Sequence, residues 1–179
     1  MNPLKQFFFE QTLRHWHFED LVKVSGLSRE RVNHYLKNLK KERFVRHIKL
    51  QRKMPYYLAD LKRSDFRLQK RLYGLNLLQQ SGLFAHLFAL KNVRTAILFG
   101  SFARGDWNQS SDVDLFLYGE NSLFEKGVFE MKLRKELQIF SFQQASEVKK
   151  TLEPALLRNI AKGFNIKGDL EPFEVDIRA

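Results

Sequence analysis

Between Ala96 and Leu117 the chain passes from an unbroken apolar run, Ala96-Ile97-Leu98-Phe99, into Gly100-Ser101-Phe102-Ala103-Arg104-Gly105-Asp106. It then reaches Ser110-Ser111-Asp112-Val113-Asp114-Leu115-Phe116-Leu117. An apolar run bounded by glycine reads as a buried strand. Gly100 permits a tight turn, and Ser101 offers a hydroxyl and an N–H at a helix start. Residues 105–111 read as a polar, mobile loop, and a second strand follows. Asp112 and Asp114 lie two residues apart in that strand, so both carboxylates point to one face. Two such acids repel unless a cation or another donor lies between them. Carboxylate oxygens suit Mg²⁺, the ion of triphosphate chemistry. Each piece also has a plain structural reading, since Gly-Ser is a common turn and Asp112 fits a loop cap. Asp114 resists that reading, because a charge inside an apolar strand needs a partner.

Gly100-Ser101, Ala103-Arg104-Gly105 and the downstream Asp112-x-Asp114 resemble the signature of the DNA polymerase beta-type nucleotidyltransferase superfamily. Within it they are most similar to the minimal nucleotidyltransferases, which are prokaryotic and largely archaeal. The resemblance spans residues 92–170. It implies a mixed sheet with helices packed on it and transfer of a nucleoside monophosphate from a nucleoside triphosphate to a hydroxyl. Carried onto this sequence, it makes Asp112 and Asp114 the catalytic acids and the ligands of Mg²⁺ or Mn²⁺. Gly100 and Ser101 cradle the triphosphate, and Arg104 reaches a phosphate or braces Asp106. Active members place a third acid on the next strand, and residues 138–142, Gln-Ile-Phe-Ser-Phe, contain none. Ser141 and Gln143 fall in that region but are poor bases. Glu136 and Glu147 flank it, and Asp176 is a more distant source. Small members act as antitoxins, so the resemblance also implies a HEPN-type RNase as a partner.

The first third of the chain has a different character. Residues 4–13 read as a helix, and residues 18–25 as a short second helix ended by Gly26. Ser28 is placed to cap a third helix over residues 29–43. Val32, Tyr35, Leu36 and Leu39 recur at three and four on one side of it. Arg29, Arg31, Asn33, His34, Lys37 and Lys41 occupy the other. Residues 45–50 read as a strand, Gln51-Arg52-Lys53-Met54-Pro55 as a basic turn, and Tyr56-Tyr57-Leu58 as the returning strand. Three helices followed by a hairpin resemble the winged helix-turn-helix family. That resemblance implies duplex DNA as a partner, with residues 28–41 as the recognition helix and Arg52 and Lys53 at the wing tip. Docking or dimerisation is the other use of such a module, and the three tyrosines read as core or cross-strand residues.

Charge separates the two ends. The net charge is +11; residues 1–62 hold 14 Lys and Arg against 6 Asp and Glu, a net of +8, leaving 17 against 14 and +3 for residues 63–179. A surplus concentrated in this way suits a polyanion, or a basic solubilising surface. Between the ends, Ser64 is placed to cap a helix over residues 65–78, Gly82 breaks it, and residues 83–90 resume it. His86 reads as an ordinary helix residue, and His15, His17, His34 and His47 lack metal-ligand spacing. The chain has no cysteine, which excludes disulfides and thiolate metal sites. No apolar run has membrane-spanning length and no leader is visible, so the expectation is a cytoplasmic protein without a membrane partner.

The expected fold class is therefore α+β: a winged helix-turn-helix over residues 1–62, a helical connector over 63–91, and a polymerase-beta-like nucleotidyltransferase sheet with helices over 92–179. The expected function is Mg²⁺-dependent nucleotidyl transfer to an RNA, protein or small-molecule hydroxyl. The rivals are a DNA-binding regulator whose transferase domain only senses nucleotide or binds a partner, and a purely structural adaptor. A homodimer is compatible with each.

Overall fold

The computed structural model describes residues 2–169 and Phe173. The chain divides into two compact units, Met1–Lys70 and Arg71–Ala179. In the first, helices α1 (Lys5–Glu10), α2 (Phe18–Ser25) and α3 (Arg29–Lys41) precede strands β1 (Val45–Ile48) and β2 (Tyr56–Ala59). Helix α2 stops where Gly26 turns left-handed at φ 64°, a conformation open to a residue without Cβ. Two residues later the Ser28 hydroxyl accepts the Arg31 N–H at 3.3 Å and starts α3. Val32, Leu36 and Leu39 are buried on its inner side. They join a core with Leu4, Phe8, Phe9, Leu21 and Phe44. The hairpin is antiparallel, from Val45 opposite Ala59 to Ile48 opposite Tyr56. Trp16 and Tyr57 exchange backbone bonds of 3.0 and 2.8 Å, which lays the α1–α2 connection along β2. Tyr57 stacks on His47 and Tyr56 on His15, so both tyrosines are hairpin residues. Helix α1 is shorter than residues 4–13, because Gln11 leaves the helical region.

Helix α4 (Phe66–Gln80) begins in the first unit and ends in the second. It starts one residue later than expected, so Asp65 rather than Ser64 precedes it. Gly82, at φ 84°, separates it from α5 (Leu83–Ala89).

The second unit continues with β3 (Val93–Phe99), α6 (Gly100–Arg104), β4 (Val113–Gly119), α7 (Lys126–Leu133), β5 (Leu137–Phe142), α8 (Ala145–Thr151), α9 (Pro154–Ala161) and β6 (Phe164–Lys167). The sheet order is β5-β4-β3-β6. Strands β4 and β5 run parallel, and β3 is antiparallel to both β4 and β6. One face carries Ile97, Phe99, Phe116 and Tyr118, packed with Val148 of α8, Leu152 just after it and Ile160 of α9. This is the mixed α+β sheet expected for the second half. Helix α7 is shorter than residues 124–137, ending where Arg134 turns left-handed at φ 52°. The Leu137 N–H bonds the Glu130 carboxylate at 3.0 Å instead of continuing the helix. No helix among the described residues is long and apolar enough to cross a membrane.

Candidate nucleotide site

The site forms where β3 ends beside the start of β4. Phe99 lies opposite Asp114 in the antiparallel register. The chain then turns at Gly100, whose φ is 68°. A Cβ on Gly100 would fall 1.9 Å from Asp114 Oδ2 and 2.7 Å from its Cγ. The Asp114 carboxyl is therefore seated against the bare Cα of Gly100. Burial pushes this carboxyl above its ordinary range, and the neighbouring Asp112 pushes it further; Arg104 pulls the other way. A half-buried acid with a second acid beside it is short of positive charge.

Ser101 follows on α6, which closes at Gly105 with its N–H on the Ser101 carbonyl at 2.8 Å. Arg104 Nε bonds Asp106 Oδ2 at 3.1 Å, and its Nη1 reaches Asn159 Oδ1 at 3.4 Å. Of its two expected roles, the structure gives it the brace on Asp106. The loop to Asp112 is anchored rather than loose. Trp107 is fully buried and stacks on Phe102 at 5.0 Å and Tyr73 at 6.1 Å. Asn108 and Ser111 close a local turn through bonds of 2.9 and 3.1 Å. In the sequence Trp107 is hidden among polar neighbours. Its aromatic partner Phe102, five residues away across a glycine turn, was the available signal.

Across the parallel register Asp114 faces Gln138. Gln138 and Phe140 share its side of the sheet, and the Phe140 ring packs on Phe99 at 5.5 Å. The place for a third acid is thus taken by an amide and an aromatic ring. Glu136 contributes its carbonyl to the Val113 N–H at 2.9 Å, and the Glu147 carboxylate accepts the Gln144 N–H at the start of α8. Among the described residues no three acids or histidines gather to hold a metal. Asp176 lies outside the described residues. Two carboxylates with the oxygens of a triphosphate still fit one Mg²⁺.

In the first unit all eight candidate nucleic-acid residues are exposed. Arg31, Asn33, Lys37 and Lys41 lie along α3, while Arg52 and Lys53 lie at the hairpin tip. Arg29 pairs with Glu19 at 2.5 Å and covers the Phe18 ring. His34 bonds Asn38 at 3.0 Å.

Residues 85–164 match the family model described as Polymerase beta, Nucleotidyltransferase. The chain carries a polymerase beta-type nucleotidyltransferase domain. The matched stretch contains Gly100, Ser101, Arg104, Asp112 and Asp114 and ends at the first residue of β6. No curated protein matches the sequence. Among solved structures, a mutant of the toxin–antitoxin pair MntA-HpeT is 12% identical, over 56% of this chain and 75% of that one, with a TM-score of 0.34. A toxin–antitoxin structure with AMP-PNP is 14% identical over the same shares, also with a TM-score of 0.34.

Proposed function

We infer that the nucleotidyltransferase domain binds a nucleoside triphosphate with Mg²⁺ or Mn²⁺ and transfers its nucleoside monophosphate to a hydroxyl on an RNA, protein or small-molecule acceptor. The observation that carries this reading is the seating of Asp114 on the Cα of Gly100, with Asp112 beside it. A carboxyl held that way gains from a divalent cation. Asp112 and Asp114 hold the cation, and the Gly100-Ser101 turn takes phosphate oxygens through its N–H groups and the Ser101 hydroxyl. Arg104 keeps Asp106 in place next to them. When bound, the ion supplies charge neutralisation along the phosphates. The acceptor oxygen forms a bond to the α-phosphorus, and the bond to the pyrophosphate leaving group breaks.

The acceptor hydroxyl must also lose a proton, and neither Gln138 nor Phe140 can take it. That observation favours a second reading. In it the domain keeps the nucleotide but not the transfer, and serves as the sensor of a DNA-binding regulator. The first unit then acts as a winged helix-turn-helix. Helix α3 offers Arg31, Asn33, Lys37 and Lys41 to duplex DNA, and the hairpin adds Arg52 and Lys53. Arg29 and His34 contribute only by giving up Glu19 and Asn38.

One assay separates the two readings. Full-length protein and Asp114→Asn are incubated with labelled triphosphates and Mg²⁺ or Mn²⁺ over total cellular RNA and protein. Labelling that disappears in the variant supports transfer. Nucleotide binding without labelling supports the sensor. Neither binding nor labelling removes both.

A further inference from the structure

Lys135 lies in the turn between α7 and β5, outside the five residues that make the nucleotide site. Its ammonium donates to three backbone carbonyls of one loop: Asn108 at 3.2 Å, Gln109 at 2.8 Å and Ser111 at 3.4 Å. Ser111 is the residue before Asp112. The same ammonium stands 5.5 Å from the Phe102 ring centroid and 5.9 Å from that of Trp107. Those rings are the floor on which the loop rests. An ammonium has three N–H donors, and here three carbonyls of a four-residue stretch face it. The turn that carries Lys135 is itself fixed, because its N–H bonds the Glu130 carbonyl at 3.3 Å and the next residue's carbonyl holds the Val113 N–H. The backbone on both sides of Asp112 is therefore tied to one short segment, residues 135–136.

We propose that Lys135 is a positioning residue for the metal–nucleotide site, setting the backbone that delivers Asp112 beside Asp114. This rests on the reading of Asp112 and Asp114 as cation ligands. Charge-assisted bonds to carbonyls are among the stronger ones a side chain makes. Without them the loop keeps its Trp107 anchor and Val113 keeps its bond to Glu136, but the backbone leading into Asp112 loses its hold at Ser111. The direct role in binding stays with the acids. Lys135 acts through the position of one of them, so Arg, which keeps the charge and the donors, retains much of the effect.

The test uses full-length wild type, Lys135→Met, Lys135→Arg and Asp114→Asn. Calorimetry measures binding of Mg²⁺ with AMP-PNP, and thermal unfolding is followed beside it. Lys135→Met keeps an apolar stem over Phe102 and is expected to fold. It should weaken binding about tenfold or more, with its unfolding midpoint close to wild type. Lys135→Arg should lie between the two. If wild type binds and Lys135→Met binds equally well, the positioning role is overturned and the nucleotide site stands. If wild type binds no better than Asp114→Asn, the cation site falls and the positioning role with it. A second readout needs no ligand: amide exchange at Ser111, whose N–H bonds the Asn108 carbonyl at 3.1 Å. It should quicken by about tenfold in Lys135→Met while the amides of β4 keep their rates. Unchanged exchange at Ser111 overturns the proposal.

Discussion

At Gly100 a hydrogen atom is all the space beside Asp114 allows. Gly100→Ala sets a methyl 1.9 Å from Asp114 Oδ2 and forces a left-handed backbone on a residue with a Cβ. The expected cost is roughly 1–3 kcal/mol of folding stability, together with weakened binding of Mg²⁺ and AMP-PNP. Two sources of that cost can be separated. The strain at φ belongs to Gly100 alone, whereas the clash belongs to the pair. A double-mutant cycle with Asp114→Ala should therefore show the double variant less destabilised than the sum of the singles, by about 0.5–3 kcal/mol. Additive denaturation midpoints would place the whole cost in the backbone and leave Asp114 off the glycine. Asp112→Asn combined with Asp114→Asn makes the complementary point. It keeps the shapes and removes both charges, so triphosphate binding should lose its Mg²⁺ dependence while the fold persists. Calorimetry of both proteins with triphosphate and Mg²⁺ decides it, and a variant that binds as tightly as wild type would end the metal assignment.

Helix α4 shows how an element start can be tied to charge. Asp65 precedes it, and its carboxylate accepts bonds from Arg63 Nη2 and Gln69 Nε2, each at 2.8 Å. The Arg63 bond above all holds this carboxyl at about 2 rather than 3.8. A depressed folded value means the stabilisation is complete above the unfolded value and is lost as pH falls through the folded one. Asp65→Asn should therefore be less stable than wild type at pH 7. Denaturant unfolding repeated at falling pH should show the gap holding until pH 3.8 and closing toward pH 2. A gap indifferent to pH would assign Asp65 a packing role. The sequence alone puts this helix start one residue early, because Ser64 and Asp65 are both good N-cap residues and only the turn geometry chooses. Where a signal is local, the sequence reading succeeds: Ser28 with Val32, Leu36 and Leu39 marks α3, and Gly26 and Gly82 mark two helix boundaries. Where the cause is distant, it fails. Helix α7 stops at Arg134, a residue no helix-ending rule would choose, because Leu137 pairs in register beside Val113 and draws its N–H to Glu130. Trp107 reads with its polar neighbours, although Tyr73, over thirty residues earlier, stacks on it. The candidate site divides in the same way. Gly100, Ser101, Asp112 and Asp114 are legible as residue types at a spacing, but the contact of Asp114 with Gly100 exists only through the β3–β4 register.

Over the whole molecule the distribution of charge makes the sharpest demand. Of the net +11, +8 belongs to residues 1–62, and the candidate contacts there are exposed along α3 and at the hairpin tip. If this surface meets duplex DNA, affinity should fall steeply with salt, because each phosphate neutralised releases counterions and adds about 0.9 to the slope of log affinity against log salt. Changing Arg52 and Lys53 together to Ala should flatten that slope by up to about 2. The structure adds a finer expectation. Arg29 is paired with Glu19 at 2.5 Å, so a phosphate must compete for its guanidinium. Arg29→Ala should accordingly change the slope less than Lys37→Ala, whose ammonium lies on the exposed side of the same helix. Anisotropy titrations of full-length protein against a labelled duplex, across a range of salt, measure all three variants. Equal slopes for wild type and the Arg52/Lys53 variant would remove the hairpin from the interface. An absence of duplex binding at about 50 mM salt would turn the first unit from a DNA-binding module into a docking one, and with it the regulator reading would lose its target.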